Sequence, residues 1–156
     1  ALGEMWGKAV RSGCMFYRYT ADPELKEILS QTVKDLLSTV RPNGSISCVP
    51  PEKQPDGPGG DLWERKYVLL GLDRYYDLVE ADPAVLRAMT DQADCIIEQV
   101  GEPPKVPESE PYRVEHAART VHASLQPHGR KALPRFCPLY RLDRRLRRIR
   151  YFPSGI

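Results

Sequence analysis

Apolar positions recur at helical spacing through the first hundred residues, and they define two kinds of helix that alternate along the chain. Residues 22–41, DPELKEILSQTVKDLLSTVR, put Leu25, Ile28, Leu29, Val33, Leu36, Leu37 and Val40 on one stripe, with Lys26, Glu27, Lys34 and Asp35 elsewhere. That is the pattern of an amphipathic helix with one buried face. Asp22 can accept from the exposed first-turn N–H groups, Pro23 suits the first helical position, and Pro42-Asn43-Gly44 predicts the stop. Residues 82–100 repeat the design, with Asp82-Pro83 at the start, Val85, Met89, Ala93, Ile96, Ile97 and Val100 as the stripe, and Gly101 at the end.

The helix preceding each of these is of the other kind. Residues 3–20 (Met5, Trp6, Ala9, Val10, Cys14, Phe16, Tyr17, Tyr19) and 61–79 (Leu62, Trp63, Tyr67, Val68, Leu69, Leu70, Leu72, Tyr75, Tyr76, Leu78, Val79) are apolar around most of their circumference. Such helices are expected to be covered on several sides. Ala21-Asp22-Pro23 and Ala81-Asp82-Pro83 stand 60 residues apart, and MWGKAV at 5–10 corresponds to LWERKYV at 62–68 if one residue is inserted. The chain therefore reads as a duplicated helical hairpin. Broad apolar helices inside and amphipathic helices outside make two layers, the logic of an α/α toroid or solenoid.

Prolines and glycines separate the hairpins. Residues 42–60 carry Pro42, Pro50, Pro51, Pro55 and Pro58 with Gly44, Gly57, Gly59 and Gly60, which predicts a long exposed loop of the kind that lines a site, and 101–111 repeats the pattern. The two units, 1–116, hold 13 Lys/Arg against 20 Asp/Glu, whereas 117–156 holds 10 against the single acid Asp143. This reversal sets the tail apart. LYRLD at 139–143 echoes FYRYTAD at 16–22, which suggests a degenerate third hairpin or a disordered segment, but five arginines between 144 and 150 replace its stripe.

No apolar run approaches the roughly 20 residues of a membrane span, and no signal peptide is evident at the start, although Ala1 is not an initiator and the chain reads as a cut piece. Cys14, Cys48, Cys95 and Cys137 lack the close pairing of zinc knuckles or redox dithiols and read as reduced, mostly buried small hydrophobes. The setting this favours is cytoplasmic over secreted. His116, His122 and His128 recur every six residues, which does not give the i, i+4 face of a two-histidine metal site. The segment RLDRRLRRIR at 141–150 has the charge for phosphate binding but no interleaved aromatics, so nucleic acid is not the expected partner.

GEMWGKAVRSGCMFYRYTADPELKEIL followed by DGPGGDLWERKYVLLGLDRYYDLV resembles the N-terminal part of the β-L-arabinofuranosidase family, glycoside hydrolase family 127, over about residues 2–101. The Trp-x-x-Lys starts and the Tyr-Arg-Tyr-Thr-x-Asp helix junction carry the resemblance. It implies an all-α fold in which these hairpins form part of an (α/α)6 barrel, an incomplete toroid of two units and part of a third. A C-terminal barrel segment and β-sandwich domains would be missing partners. It also implies, for the full-length family, a retaining hydrolase with a zinc-bound cysteine nucleophile and a glutamate acid/base. None of those residues can be assigned here, so this chain is expected to carry no cofactor and to be inactive alone. Some relatives place a histidine where this chain has Arg65-Lys66, which leaves the exact sugar open.

Saccharides are held by aromatic faces over C–H patches and by charged side chains on hydroxyls. Trp6 and Lys8 at one helix start, and Asp61, Trp63, Glu64, Arg65 and Lys66 at the other, supply both and are the candidate substrate-binding residues. The plainer alternative makes Asp61 a cap, Glu64 a complement to the helix dipole, Trp63 core, and Arg65 with Lys66 solvated. Two functions remain side by side: an enzyme portion acting on arabinofuranosides or related plant sugars, and a non-catalytic helical-repeat module binding carbohydrate or protein. For the tail, a further hypothesis is a stretch read out of frame, motivated by its abrupt loss of acids. A coding sequence with one open frame giving this tail, shared by relatives, would exclude it.

Overall fold

The computed structural model describes residues 2–50 and 61–100, with the side chains of the last helix described to Ile96. Four helices make up these segments: α1 (Leu2–Thr20), α2 (Pro23–Leu37), α3 (Asp61–Leu78) and α4 (Pro83–Val100). The all-α expectation holds, since every regular element among the described residues is a helix. None of those helices is long and apolar enough to cross a membrane. The loop at 101–111, the three histidines, Cys137, the basic tail and the stripe side chains of Ile97 and Val100 lie outside the described residues.

Local chemistry sets the helix starts as expected. The Asp22 carboxylate accepts from the N–H groups of Glu24 and Leu25 at 2.9 and 3.5 Å, and Asp82 accepts from Ala84 at 2.7 Å. The junctions at Tyr17 and Tyr75 are equivalent too: Ala21 N–H bonds to the Tyr17 carbonyl, and the Val79 and Glu80 N–H groups bond to that of Tyr75. Ala21 turns the chain with φ of +49°, a left-handed conformation at the end of α1.

One boundary differs from expectation. α2 ends at Leu37, ahead of the proline, because the Ser38 and Thr39 hydroxyls bond to the carbonyls of Asp35 and Leu36 at 2.6 and 2.7 Å while the backbone tightens to i→i+3 bonds. Val40 therefore lies beyond the helix, although it still packs against the core.

The dominant contact is between α1 and α3, which run parallel. A Cβ at Gly3 would meet Glu64 and Val68, one at Gly7 would overlap the backbone of Tyr67, and one at Gly71 would lie 3.0 Å from Trp6 and 3.2 Å from Gly7. Backbone thus touches backbone where Gly7 and Gly71 cross, an approach that a side chain would block. The outer helices return antiparallel, with Leu29 of α2 lying against Gly13 and the Val85, Met89, Ala93 and Ile96 stripe of α4 buried. One hydrophobic cluster joins all four helices.

Burial corrects two expectations from the pattern. α3 is enclosed around most of its surface, as expected, but α1 is not: Leu2, Met5, Phe16 and Tyr19 are 76, 66, 66 and 89% exposed. Its buried face consists of Gly3, Gly7, Val10 and Cys14, because only α2 and α3 cover it among the described residues. Ile28, placed on the α2 stripe, is also exposed, since it falls at the edge of the face whose centre is Leu29 and Val33.

The connection after α2 departs from the expected exposed loop in its first part. Gly44, Ser45 and Ile46 are buried against α4. The Gln92 side chain holds Ile46 as another peptide would, accepting from its N–H at 2.8 Å and donating to its carbonyl at 3.2 Å. Gly44, with φ of +79°, passes against the backbone of Asp91. Residues 51–60 lie outside the described structure.

Candidate functional site

Because α1 and α3 are parallel, their N-terminal ends stand side by side, and the candidate residues collect in one region divided into an inner and an outer group. Asp61, Glu64 and Arg65 form the inner one. They are 4, 2 and 0% exposed, and Arg65 Nη2 is paired with Asp61 Oδ2 at 2.6 Å. Ser47 Oγ donates within 2.8 Å of Glu64 Oε1 and lies 3.3 Å from Asp61 Oδ2, while the Cys48 N–H donates to Glu64 Oε1 at 2.7 Å. Arg65 Nη1 also approaches Cys95 Sγ at 3.9 Å. Asp61 and Glu64 pin the connection after α2 onto the start of α3, and Arg65 holds Asp61 from the α4 side. Glu64 accepts from that connection, and Arg65 is anything but solvated.

Lys8, Glu4, Trp63, Lys66 and Tyr67 form the outer group. Lys8 Nζ pairs with Glu4 Oε1 at 2.6 Å and lies 4.8 Å from the centre of the Tyr67 ring. Lys66 Nζ sits 3.4 Å from the centre of the Trp63 ring and 4.4 Å from that of Tyr67, and the two rings meet edge to face at 5.5 Å. Hydrogen bonds from Lys8 and the Trp63 indole hold the Glu4 carboxyl below its usual range, and the bond to Glu4 raises Lys8. Burial acts the other way on Lys66 and lowers its pKa, with neighbouring Glu4 partly opposing the shift. Lys66 is buried beneath aromatic rings, in contrast to the solvated position of the plainer sequence reading.

Trp6 does not belong to either group in the way its sequence correspondence with Trp63 implies. It is half-buried, packed on the hydrophobic cluster and against Gly71. Tyr67, Ser47 and Gln92 were not singled out from the sequence. Tyr67 had a signal, its i+4 position after Trp63; Ser47 and Gln92 had none, because their partners lie 17 and 46 residues away.

The outer group is one end of a longer feature. On α1, Glu4, Lys8, Arg11, Met15 and Tyr19 follow helical spacing on one face, and on α3 so do Trp63, Tyr67, Leu70, Arg74 and Leu78; all are half-buried or exposed. Two parallel helices with facing stripes of this kind form a trough, about 22 Å long over fifteen residues of helix.

The three described cysteines are free. Cys14 and Cys95 are buried, as expected, whereas Cys48 is exposed. Burial pushes the Cys14 thiol up to about 11, which makes it a packing group and not a nucleophile. Zinc, implied by the resemblance for the full-length family, does not fit the described residues, where no three His, Cys, Asp or Glu side chains gather to hold a metal. Comparison with protein-family models, curated proteins and solved structures returns no match.

Proposed function

We propose that this chain carries the first two hairpins of an (α/α)6 barrel of a β-L-arabinofuranosidase-like glycoside hydrolase, and that the outer group at the start of α1 and α3 forms part of the wall facing the sugar. The observation that supports this reading most is the parallel pairing of α1 and α3. It brings two Trp/charge helix starts to one end, as the inner helices of a toroid require. In this role Trp63 and Tyr67 offer apolar surface to sugar C–H groups, while Glu4 and Lys8 offer an acceptor and a donor to hydroxyls. Asp61, Glu64 and Arg65 act behind them as positioning residues, fixing the start of α3.

The chain's own residues supply binding and orientation in this proposal. No bond-breaking step is assigned to them. The test is titration of the 156-residue chain with methyl β-L-arabinofuranoside, followed at the Trp63 indole N–H resonance and assigned with Trp63→Phe. The expected result is a saturable shift, with affinity falling about fivefold to tenfold in Tyr67→Ala, corresponding to the ~1 kcal/mol of one aromatic contact. An indole resonance unmoved at saturating sugar, or the same affinity in Tyr67→Ala, would overturn it.

A further inference from the structure

The trough has a second chemically distinct end, opposite the aromatic and lysine groups. Between the C-terminal halves of α1 and α3 it opens into a groove of about 640 Å³ lined by Arg11, Met15, Arg18, Tyr19, Arg74 and Leu78. That volume lies within the usual range for small-molecule sites. Three arginines from two helices line it, with Met15, Tyr19 and Leu78 supplying apolar wall.

Only one of the three arginines, Arg74, has a paired acid among the described residues. Among the described residues no carboxylate lies within 4.0 Å of Arg11 or Arg18, and the Asp77 contact to Arg74 is long, at 3.7 Å. The groove does lie at helix C-terminal ends, where each dipole contributes roughly half a negative charge. Two such ends and Asp77 together offset about two of the three positive charges, so the described residues leave the groove with a net positive character. An anion entering it must be held by the guanidiniums themselves, whose planar forks match phosphate oxygens in pairs.

We propose that this groove is a binding site for a small organic phosphate monoester, with the phosphate among Arg11, Arg18 and Arg74 and an apolar or aromatic body against Met15, Tyr19 and Leu78. A monoester dianion suits a groove lined by three arginines better than a monocarboxylate does, and the apolar wall gives it an advantage over free phosphate. The site does not rest on the saccharide reading: its lining starts at Arg11, one helical turn beyond Lys8, and runs away from the outer group to Tyr19, about 16 Å of helix rise from Lys8.

The test uses phenyl phosphate, inorganic phosphate, benzoate and phenol as probes of the full chain, with binding read by calorimetry and by amide shifts of residues 11–19 and 74–78. Phenyl phosphate is expected to bind most tightly, at least about fivefold tighter than inorganic phosphate or benzoate, with phenol showing no saturable binding. Arg11→Gln/Arg18→Gln/Arg74→Gln should weaken phenyl phosphate by about tenfold or more, while an unchanged far-ultraviolet circular dichroism spectrum shows that the helices persist. Tyr19→Ala, at a position 89% exposed, should reduce the preference over inorganic phosphate without unfolding the chain. Equal affinity in the triple variant would assign binding to other cations, including those of the basic tail, and would overturn the proposal. So would equal affinity for phenyl and inorganic phosphate, or a failure of phenyl phosphate to saturate any of these amide shifts.

Discussion

Gly7→Ala is expected to destabilise the chain by about 2–4 kcal/mol, the largest effect of any single methyl group added among the described residues. The new Cβ would overlap the carbonyl of Tyr67 and lie 2.9 Å from its Cβ, so no rotamer change can make room and the two inner helices must part. Alanine's higher helix propensity returns only about 1 kcal/mol of that loss. Gly13→Ala serves as the control. Its Cβ would meet the end of the Leu29 side chain at 2.9 Å, which can turn aside, and its effect should stay within about 1 kcal/mol. Urea unfolding followed by circular dichroism distinguishes the two. Matching midpoints would mean that α1 and α3 do not cross through their glycines, and the trough between them would lose its basis.

Breaking the Asp61–Arg65 pair should have an effect of similar or greater size. Arg65→Met or Asp61→Leu alone leaves a buried charge facing an apolar side chain, a loss of about 3–5 kcal/mol. The double variant should recover most of this, because a buried ion pair replaced by apolar groups of similar volume is often close to neutral. A double-mutant cycle by urea unfolding measures the coupling, and raising NaCl should change the single-variant losses little, since a pair at 0 and 4% side-chain exposure is poorly screened. Simple additivity of the two losses would show that each residue is held by other partners. Glu64, already bonded to Ser47 and Cys48, would then be the main tie between the connection and α3.

Both predictions bear on the proposed sugar-facing wall, because Gly7 packs on the backbone of Tyr67 and Arg65 lies in the inner group behind it, and both set its position. Gly7 fixes the spacing of Glu4 and Lys8 from Tyr67, and Arg65 fixes the first turn of α3 from behind. A variant that keeps the fold but shifts this spacing should change sugar affinity before it changes helix content.

The pattern along the chain determined a good deal of this. The positions of the four helices, the caps at Asp22 and Asp82, and the pairing of a broad apolar helix with an amphipathic one could be read directly. Capping bonds and 3.6-residue periodicity act within a few residues, so a sequence window contains the whole interaction. Gathering Glu4, Lys8 and Trp63 at one end also follows once the repeat is seen, because equivalent helices start at equivalent places.

Only the tertiary structure decided which charged residues at 61–66 face inward. A pair at i and i+4 such as Asp61 and Arg65 has the same sequence whether it is solvated or covered; here Ser47 and Cys95 lie against it, and they arrive from 14 and 34 residues away relative to Asp61. The burial of Ile46 under Gln92, the exposure of Met5 and Phe16, and the lining of one groove by Arg11, Arg18 and Arg74 were decided in the same way. Local hydrogen bonding fixes what a segment becomes, whereas burial depends on which distant surface packs against it, and at Gly7 and Gly71 that was settled by the closest approach two backbones can make.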